Sequence, residues 1–369
     1  MQKNSKKIML TGGHAATSAL AVIEKVQEKH PNWNISWIGS SEAFINKKAK
    51  TLDFQLFPEL GVKCYAIQTG KLQRKISISS VMNLLKVPVG CIQALGILFK
   101  EKPEVILSFG GYAALPVVWV GKLLGYPVLI HEQTLGFGLA NKLSLPFADD
   151  VLLSREESSK YFRNKKSHFV GLPLHNATQK IALSKKKNPD TILILGGSRG
   201  SQTINLAVKE VLPTLLKKYE IIHLCGSLDE DNLKSHKRIL SSKIRDKYEV
   251  IAHVPPLEMA NKYAQADIVI ARAGAHTVAE VMALGKAAIF IPIPWVQRNE
   301  QLENARLAEK YSGARIIEES KLNSETLLQE INHFEQSWKE LTLGTDNKLS
   351  KKDRGAALQI VKILEKYVQ

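Results

Sequence analysis

Four times in this chain an apolar run ends on small residues and gives way to a helix-forming segment. The turns are Thr11-Gly-Gly-His14, Phe109-Gly-Gly-Tyr112, Gly196-Gly-Ser-Arg-Gly200 and Arg272-Ala-Gly-Ala-His-Thr277. A strand buried on both faces reads as a continuous apolar run, as Asp267-Ile-Val-Ile-Ala271 does before the last of these turns. Glycine at the exit lets backbone N–H groups approach an anion at the start of the next helix. One such turn is weak evidence, because a strand-to-helix junction often needs glycine for backbone reasons alone. Four of them, shared between both halves, restrict the chain to a doubly wound α/β design.

Further strand-like runs at Ile35–Ile38, Val62–Ile67, Val128–His131, Val151–Leu153, Ile221–Leu224, Val250–Val254 and Ala288–Ile293 alternate with helical segments such as Ala16–Glu28 and Ala113–Leu124. The pattern restarts after Gly171-Leu-Pro-Leu174 and the lysine-rich stretch Gln179–Asp190, which read as boundary and linker. The expectation is α/β, with two Rossmann-like domains facing each other across a cleft. They would occupy residues 1–172 and 173–345, with ligands at the carboxyl ends of the strands. Gly344–Lys352 reads as loosely ordered, and residues 353–369 as a closing helix docked on the first domain.

The formal net charge of +16 asks for anionic partners. No compact basic arm or aromatic-interleaved basic stripe of the kind that reads nucleic acid is visible, which leaves phosphorylated ligands, an anionic membrane surface or simply a solvated basic surface. Cys64, Cys91 and Cys225 have neither disulfide-framework nor metal-ligand spacing, as expected for a reducing cytoplasm. The apolar start is too short for a signal peptide. Ile76–Phe99 and Val105–Ile130 are too interrupted to span a bilayer, so a soluble protein able to rest on a membrane is expected.

The first turn lacks Gly-x-Gly-x-x-Gly, and Trp37-Ile-Gly-Ser40 brings no acidic ribose ligand, which argues against a nicotinamide dehydrogenase. No Walker phosphate loop is present. Gly196-Gly-Ser-Arg-Gly200 matches a nucleophile elbow, so a hydrolase using Ser198 with Asp267 and His276 stays open. The same serine and glycines suit a phosphate equally well. Asp229-Glu-Asp231 reads as acids favoured at a helix start rather than a metal site. Glu280, early in the helix after Arg272, lies within reach of a ribose diol beside a bound phosphate. Gln301 and Asn304 share a helical face and can offer amides to sugar hydroxyls.

Taken together, Thr11-Gly-Gly-His14, Ser108-Phe-Gly-Gly-Tyr112, His131-Glu-Gln133, Gly196-Gly-Ser198, Arg272–Glu280 and Gln301-Leu-Glu-Asn-Ala305 resemble the MurG family over nearly the whole chain. These are peripheral-membrane glycosyltransferases of peptidoglycan synthesis with a GT-B fold. The resemblance implies transfer of N-acetylglucosamine from UDP-GlcNAc to the C4 hydroxyl of undecaprenyl-diphosphate-MurNAc-pentapeptide (lipid I), with inversion, giving lipid II at the inner face of the cell membrane. The donor side would comprise Ser198, Arg272, Ala275, His276, Thr277, Glu280, Gln301, Asn304 and His175. The acceptor diphosphate side would comprise Thr11, Gly12, Gly13, Gly110, Gly111, Tyr112, Thr134 and Asn141. His14 would be the general base, since a histidine titrates near working pH. No metal or other cofactor is expected. Lys71, Arg74 and Lys75 with the apolar residues of 81–99 would face the membrane.

This chain departs from the family pattern in places. Met9-Leu10 stand where Gly-Gly is usual, Thr134 where asparagine is usual after His-Glu-Gln, and His175 where an arginine is usual. The donor loop is better kept than the acceptor side. A related enzyme with another lipid-linked acceptor, a UDP-GlcNAc epimerase and a non-catalytic binding protein remain alternatives.

Overall fold

Two parallel sheets, one in each half of the chain, carry the architecture of the computed structural model, which describes residues 5–13, 15–44, 47–70, 78–163, 165–181, 186–197, 200–296, 299–341 and 347–368. In the first half lie β1 (Lys7–Thr11), β2 (Asn34–Gly39), β3 (Glu42–Phe44), β4 (Lys47–Lys50), β5 (Lys63–Ala66), β6 (Val105–Ser108), β7 (Val128–Glu132), β8 (Asp150–Leu153) and β9 (Lys166–Phe169). The second half contributes β10 (Thr191–Leu195), β11 (Glu220–Leu224), β12 (Tyr248–Ile251), β13 (Ile268–Ala271), β14 (Ala287–Phe290) and β15 (Arg315–Ile316).

The first sheet runs β5-β2-β1-β6-β7-β8-β9 and the second β12-β11-β10-β13-β14-β15, with β3 and β4 forming a separate antiparallel hairpin. Both sheets reverse direction of growth next to their first strand, between β1 and β6 and between β10 and β13. Such a switch point opens a crevice at the carboxyl ends of the strands. All four glycine turns leave these four strands, so the topology gathers them in pairs.

Burial separates centre from edge. The central strands β6, β7, β10, β13 and β14 are buried at every position, whereas no position of the edge strands β5 and β9 is fully buried. In the first core Trp37 is fully buried, edge-on to Phe57, with its indole N–H given to Asp53 at 2.7 Å. That bond removes the penalty of burying the indole donor.

The chain divides into one compact unit of Met1–His175 with Gly355–Gln369 and a second of Asn176–Arg354. The closing helix runs Lys348–Leu364, so residues 348–352, expected to be loose, are helical. The Ser350 hydroxyl donates to the Met282 carbonyl at 3.0 Å in the second unit. Ile360, Val361 and Leu364 are buried in the core of the first, where Tyr367 donates to Asp150 at 2.8 Å. Among the described residues no helix is long and apolar enough to cross a membrane.

Candidate functional site

In the first unit the two glycine turns lie directly on one another. The Gly13 N–H donates to the Gly110 carbonyl at 2.9 Å, and Phe109 N–H to Thr11 O at 2.8 Å. Gly111 has φ +85°, and a Cβ there would lie 2.6–2.9 Å from the backbone O, N and Cα of Gly13. No side chain fits between the turns. Thr11 is buried and spends its hydroxyl on Ile38 O at 2.9 Å, so it builds the turn rather than lining its surface. Tyr112 is half-buried beside Ser40, and burial pushes its phenol up.

The third component is the loop after β7, organised by the buried carboxylate of Glu132. Its Oε1 accepts from Thr134 N–H (3.1 Å) and Thr134 Oγ1 (2.9 Å); its Oε2 accepts from Gly138 N–H (3.3 Å) and Asn141 Nδ2 (2.9 Å). Four donors replace water around the charge, which makes its burial tolerable without a cation. Asn141 Oδ1, oriented by that bond, points at Gly110, where a Cβ would come within 2.7 Å of it. That oxygen is buried and has no hydrogen-bond partner among the described residues. A buried carbonyl left with an open lone pair suits a hydroxyl or amide donor of a ligand.

In the second unit the turn after β10 leads to the helix Gln202–Leu215, with Ser201 at its N-cap. The Arg272 side chain is buried and crosses to that serine, donating to Ser201 Oγ from Nε (3.1 Å) and Nη2 (2.8 Å) and to Ile291 O from Nη1 (3.0 Å). Nη2 also pairs with the Glu319 carboxylate. The helix Ala275–Ala283 opens at Gly274, leaving Ala275, His276 and Thr277 half-buried in its first turn. Glu280 follows one turn later. The fully buried Tyr263 hydroxyl reaches Glu280 and Thr277, and burial together with the Glu280 charge holds that phenol far above its ordinary range. Gln301 accepts from Ile293 N–H at 3.0 Å, and the buried Asn304 donates to Ala273 O at 3.2 Å, so both amides are oriented by the loop they face.

A depression of about 830 Å³ lies at the opposite end of this sheet, where Lys186, Lys218, Lys237 and Lys247 are balanced by Asp190, Glu220, Asp246 and Glu249. It gathers none of the glycine turns.

The family models for the glycosyltransferase family 28 N-terminal and C-terminal domains match residues 11–153 and 191–359. A Clostridium perfringens protein, UDP-N-acetylglucosamine--N-acetylmuramyl-(pentapeptide) pyrophosphoryl-undecaprenol N-acetylglucosamine transferase, is 36% identical over 346 residues, covering 90% of each chain. The chain belongs to the MurG family. Among solved structures, Acinetobacter baumannii MurG matches with TM-score 0.71 at 24% identity, over 98% of this chain and 99% of that one. A Neisseria meningitidis UDP-GlcNAc 2-epimerase bound to UDP-GlcNAc matches with TM-score 0.68 at 13% identity, over 98% and 100%. These two likenesses speak for the fold alone.

Within this MurG-family chain, His14 and Ser198 lie outside the described residues, as do Lys71, Arg74 and Lys75. The structure gathers Gly12, Gly13, Gly110, Gly111, Thr134 and Asn141 at one sheet end, and Arg272, Ala275, His276, Thr277, Glu280, Gln301 and Asn304 at the other unit's. His175 stands at the junction of the two units. It belongs to the first unit, buried, with Nε2 2.8 Å from Glu24 Oε1. The Arg272 guanidinium is engaged by Ser201, Ile291 and Glu319.

The hydrolase arrangement fails on geometry. Asp267 precedes β13, held by Thr191 N–H (3.0 Å), Asp190 N–H (2.9 Å) and Lys186 Nζ (3.0 Å), while His276 follows the strand's other end. A four-residue strand separates them by roughly 13 Å. Asp229, in the Asp-x-Asp reading, begins the helix Glu230–Ile239 and accepts from Asn205 at 2.7 Å; among the described residues no cluster suited to a metal occurs. Sequence reasoning missed Glu132, Ser201, Asn205, Tyr263 and Glu319. Only Glu132, adjacent to His131 in a motif already singled out, carried a signal.

Proposed function

We propose that this chain moves N-acetylglucosamine from UDP-GlcNAc to the C4 hydroxyl of a lipid-diphosphate-linked muramoyl pentapeptide, giving the disaccharide-lipid precursor of peptidoglycan. The observation that carries this reading is the 36% identity to the named transferase over 90% of both chains. The donor loop Arg272–Glu280 supports it.

In this reading the second unit holds the donor. Glu280, oriented by Tyr263, takes the ribose hydroxyls, and Gln301 with Asn304 addresses the sugar. The turn after β10, with Ser198, receives the diphosphate at a helix N-terminus. The first unit takes the acceptor diphosphate at the Gly13 and Gly110–Gly111 turns, with Asn141 Oδ1 accepting from a hydroxyl or amide of the acceptor. His14 removes the C4 proton as the oxygen attacks the anomeric carbon from the face opposite UDP. The bond to the leaving phosphate breaks, its electron pair departs with UDP, and the α-linked donor gives a β product. Backbone N–H groups meet the departing charge, and no metal is needed for that step.

Membrane attachment belongs to the same reading. The helix Ile78–Glu101 exposes Val89, Ile92, Leu95 and Phe99 at spacings that keep them on one face. Burying an exposed Ile or Phe in the interface contributes roughly 1.5–3 kcal/mol each, and the basic surface adds attraction to anionic lipid.

Purified protein with UDP-[14C]GlcNAc and lipid I in mixed micelles should yield radiolabelled lipid II, and His14→Ala should lower kcat by ~10²–10⁴. Formation of UDP-ManNAc without any lipid would replace this reading with epimerisation. Tight UDP binding with no transfer to any lipid acceptor would replace it with a binding protein.

A further inference from the structure

The helix that follows the β10 turn is tied down on two sides. Ser201, its N-cap, faces the Ile204 N–H at 3.5 Å and takes two hydrogen bonds from Arg272. One turn on, Asn205 Nδ2 donates to Cys225 O (2.9 Å) and Asp229 Oδ2 (2.7 Å), while Asn205 Oδ1 meets His223 Nε2 at 2.9 Å. A Cβ on Gly200 would lie 2.0 Å from the same Cys225 carbonyl, so the turn is seated on the group that Asn205 holds. Of the five N–H donors of the guanidinium fork, one each on Nε, Nη1 and Nη2 makes a hydrogen bond to Ser201 or Ile291, and Nη2 also pairs with the Glu319 carboxylate.

We propose that Arg272 is a positioning residue that acts on the donor diphosphate through the Ser201 hydroxyl, by fixing the N-terminus of helix Gln202–Leu215, and does not touch the ligand. The inference rests on the donor reading above. N–H groups at a helix start stabilise an anion only while they are aimed at it, and their potential falls off within the first turn. A fork bonded at Nε and Nη2 to one hydroxyl fixes that serine's direction, which a single flexible ammonium cannot do. Swinging the whole fork toward a ligand would break its bonds to Ser201 and Ile291 O and its pairing with Glu319, leaving those groups uncompensated.

The test is calorimetric binding of UDP and of uridine to the full chain and to Ser201→Ala, Arg272→Gln, Arg272→Lys and the Ser201→Ala/Arg272→Gln double variant. Ser201→Ala should weaken UDP about fivefold and Arg272→Gln about tenfold, with uridine unchanged in both and the double variant no weaker than Arg272→Gln. Arg272→Lys, which keeps the charge but loses the fork, should behave like Arg272→Gln. Should Arg272→Gln not fold, Ser201→Ala and Arg272→Lys decide between the two roles. Wild-type affinity in Ser201→Ala, multiplied losses in the double variant, or near-wild-type affinity in Arg272→Lys would each mean that Arg272 contacts the diphosphate, and would overturn the proposal. Absence of UDP binding by the wild-type chain would instead overturn the donor reading, and this inference with it.

Discussion

Replacing Gly111 with alanine tests whether the acceptor-side turns are held by direct backbone contact. Two costs arise. The φ of +85° places an L side chain in the left-handed region, at about 1–2 kcal/mol. The new Cβ also meets Gly13 O at 2.6 Å, N at 2.8 Å and Cα at 2.9 Å, all backbone atoms that cannot rotate aside. Overpacking of that kind adds about 1–3 kcal/mol. The sum is about 2–5 kcal/mol. Gly125→Ala supplies the control: φ is +84°, but nothing lies within 4 Å of the added Cβ, so only the conformational term of about 1–2 kcal/mol remains.

At ~2–4 °C per kcal/mol for a domain of this size, Gly111→Ala should melt ~2–12 °C below Gly125→Ala by circular dichroism. Transfer to the lipid acceptor should fall with it, while UDP affinity stays within about twofold of wild type. Equal melting temperatures for the two variants would refute the argument, since the Gly13–Gly111 contact would then carry no energy.

Several other measurements probe separate parts of the molecule. Burial lowers the His223 pKa to about 3, so the unfolded chain binds the extra proton between pH 3 and 6.5; stability should fall by roughly 1.4 kcal/mol per pH unit on acidification through that window. Urea midpoints at pH 7.5 and 5 should therefore diverge more for wild type than for His223→Asn, and equal pH dependence would refute this. Glu132→Gln turns an N–H2 toward donors, leaving Thr134 or Asn141 unpaired; KM for the lipid acceptor should rise at least tenfold with UDP affinity unchanged. Tyr263→Phe frees the Glu280 carboxylate, and the preference of the protein for UDP over 2′-deoxy-UDP should shrink about threefold in calorimetry. Ile92→Asp with Phe99→Asp should abolish co-sedimentation with phosphatidylglycerol vesicles while leaving UDP binding intact.

The sequence and the structure agree where physics writes on consecutive residues. Strands buried on both faces, such as β6, β10 and β13, spell themselves as apolar runs, and the glycine turns follow because the backbone there has no alternative. Two of the four edge strands do not spell themselves: Lys166–Phe169 is half-exposed and polar, and Arg315–Ile316 is held by pairing to β14 rather than by its own pattern. Side-chain roles depend on partners distant in sequence, which no local pattern encodes. Arg272 looked like a ligand cation because its neighbours are small and its loop follows a strand. Its function changes once Ser201 and Glu319, 71 positions before and 47 after, are seen to take its hydrogen bonds and its charge.

The same reasoning separates the two sheet ends by the way each is held. The acceptor-side loop is organised by a buried carboxylate that collects four donors, and the donor-side loop by a buried guanidinium that supplies several acceptors. Each ion is satisfied by protein groups, so each stiffens its loop at little cost in unpaired charge. The groups left for ligands are then uncharged in the main: backbone N–H at the glycine turns, Asn141 Oδ1, and the amides of Gln301 and Asn304. In the proposed reading, diphosphates would be held by such dipoles without strong ion pairs. Raising ionic strength should therefore weaken UDP binding far less than it weakens attachment to anionic vesicles, which depends on exposed lysines screened over about 10 Å at 0.1 M salt. Parallel loss of both between 0.05 and 0.5 M salt (roughly one Debye length falling by a factor of about three) would show that free cations, not oriented dipoles, hold the nucleotide.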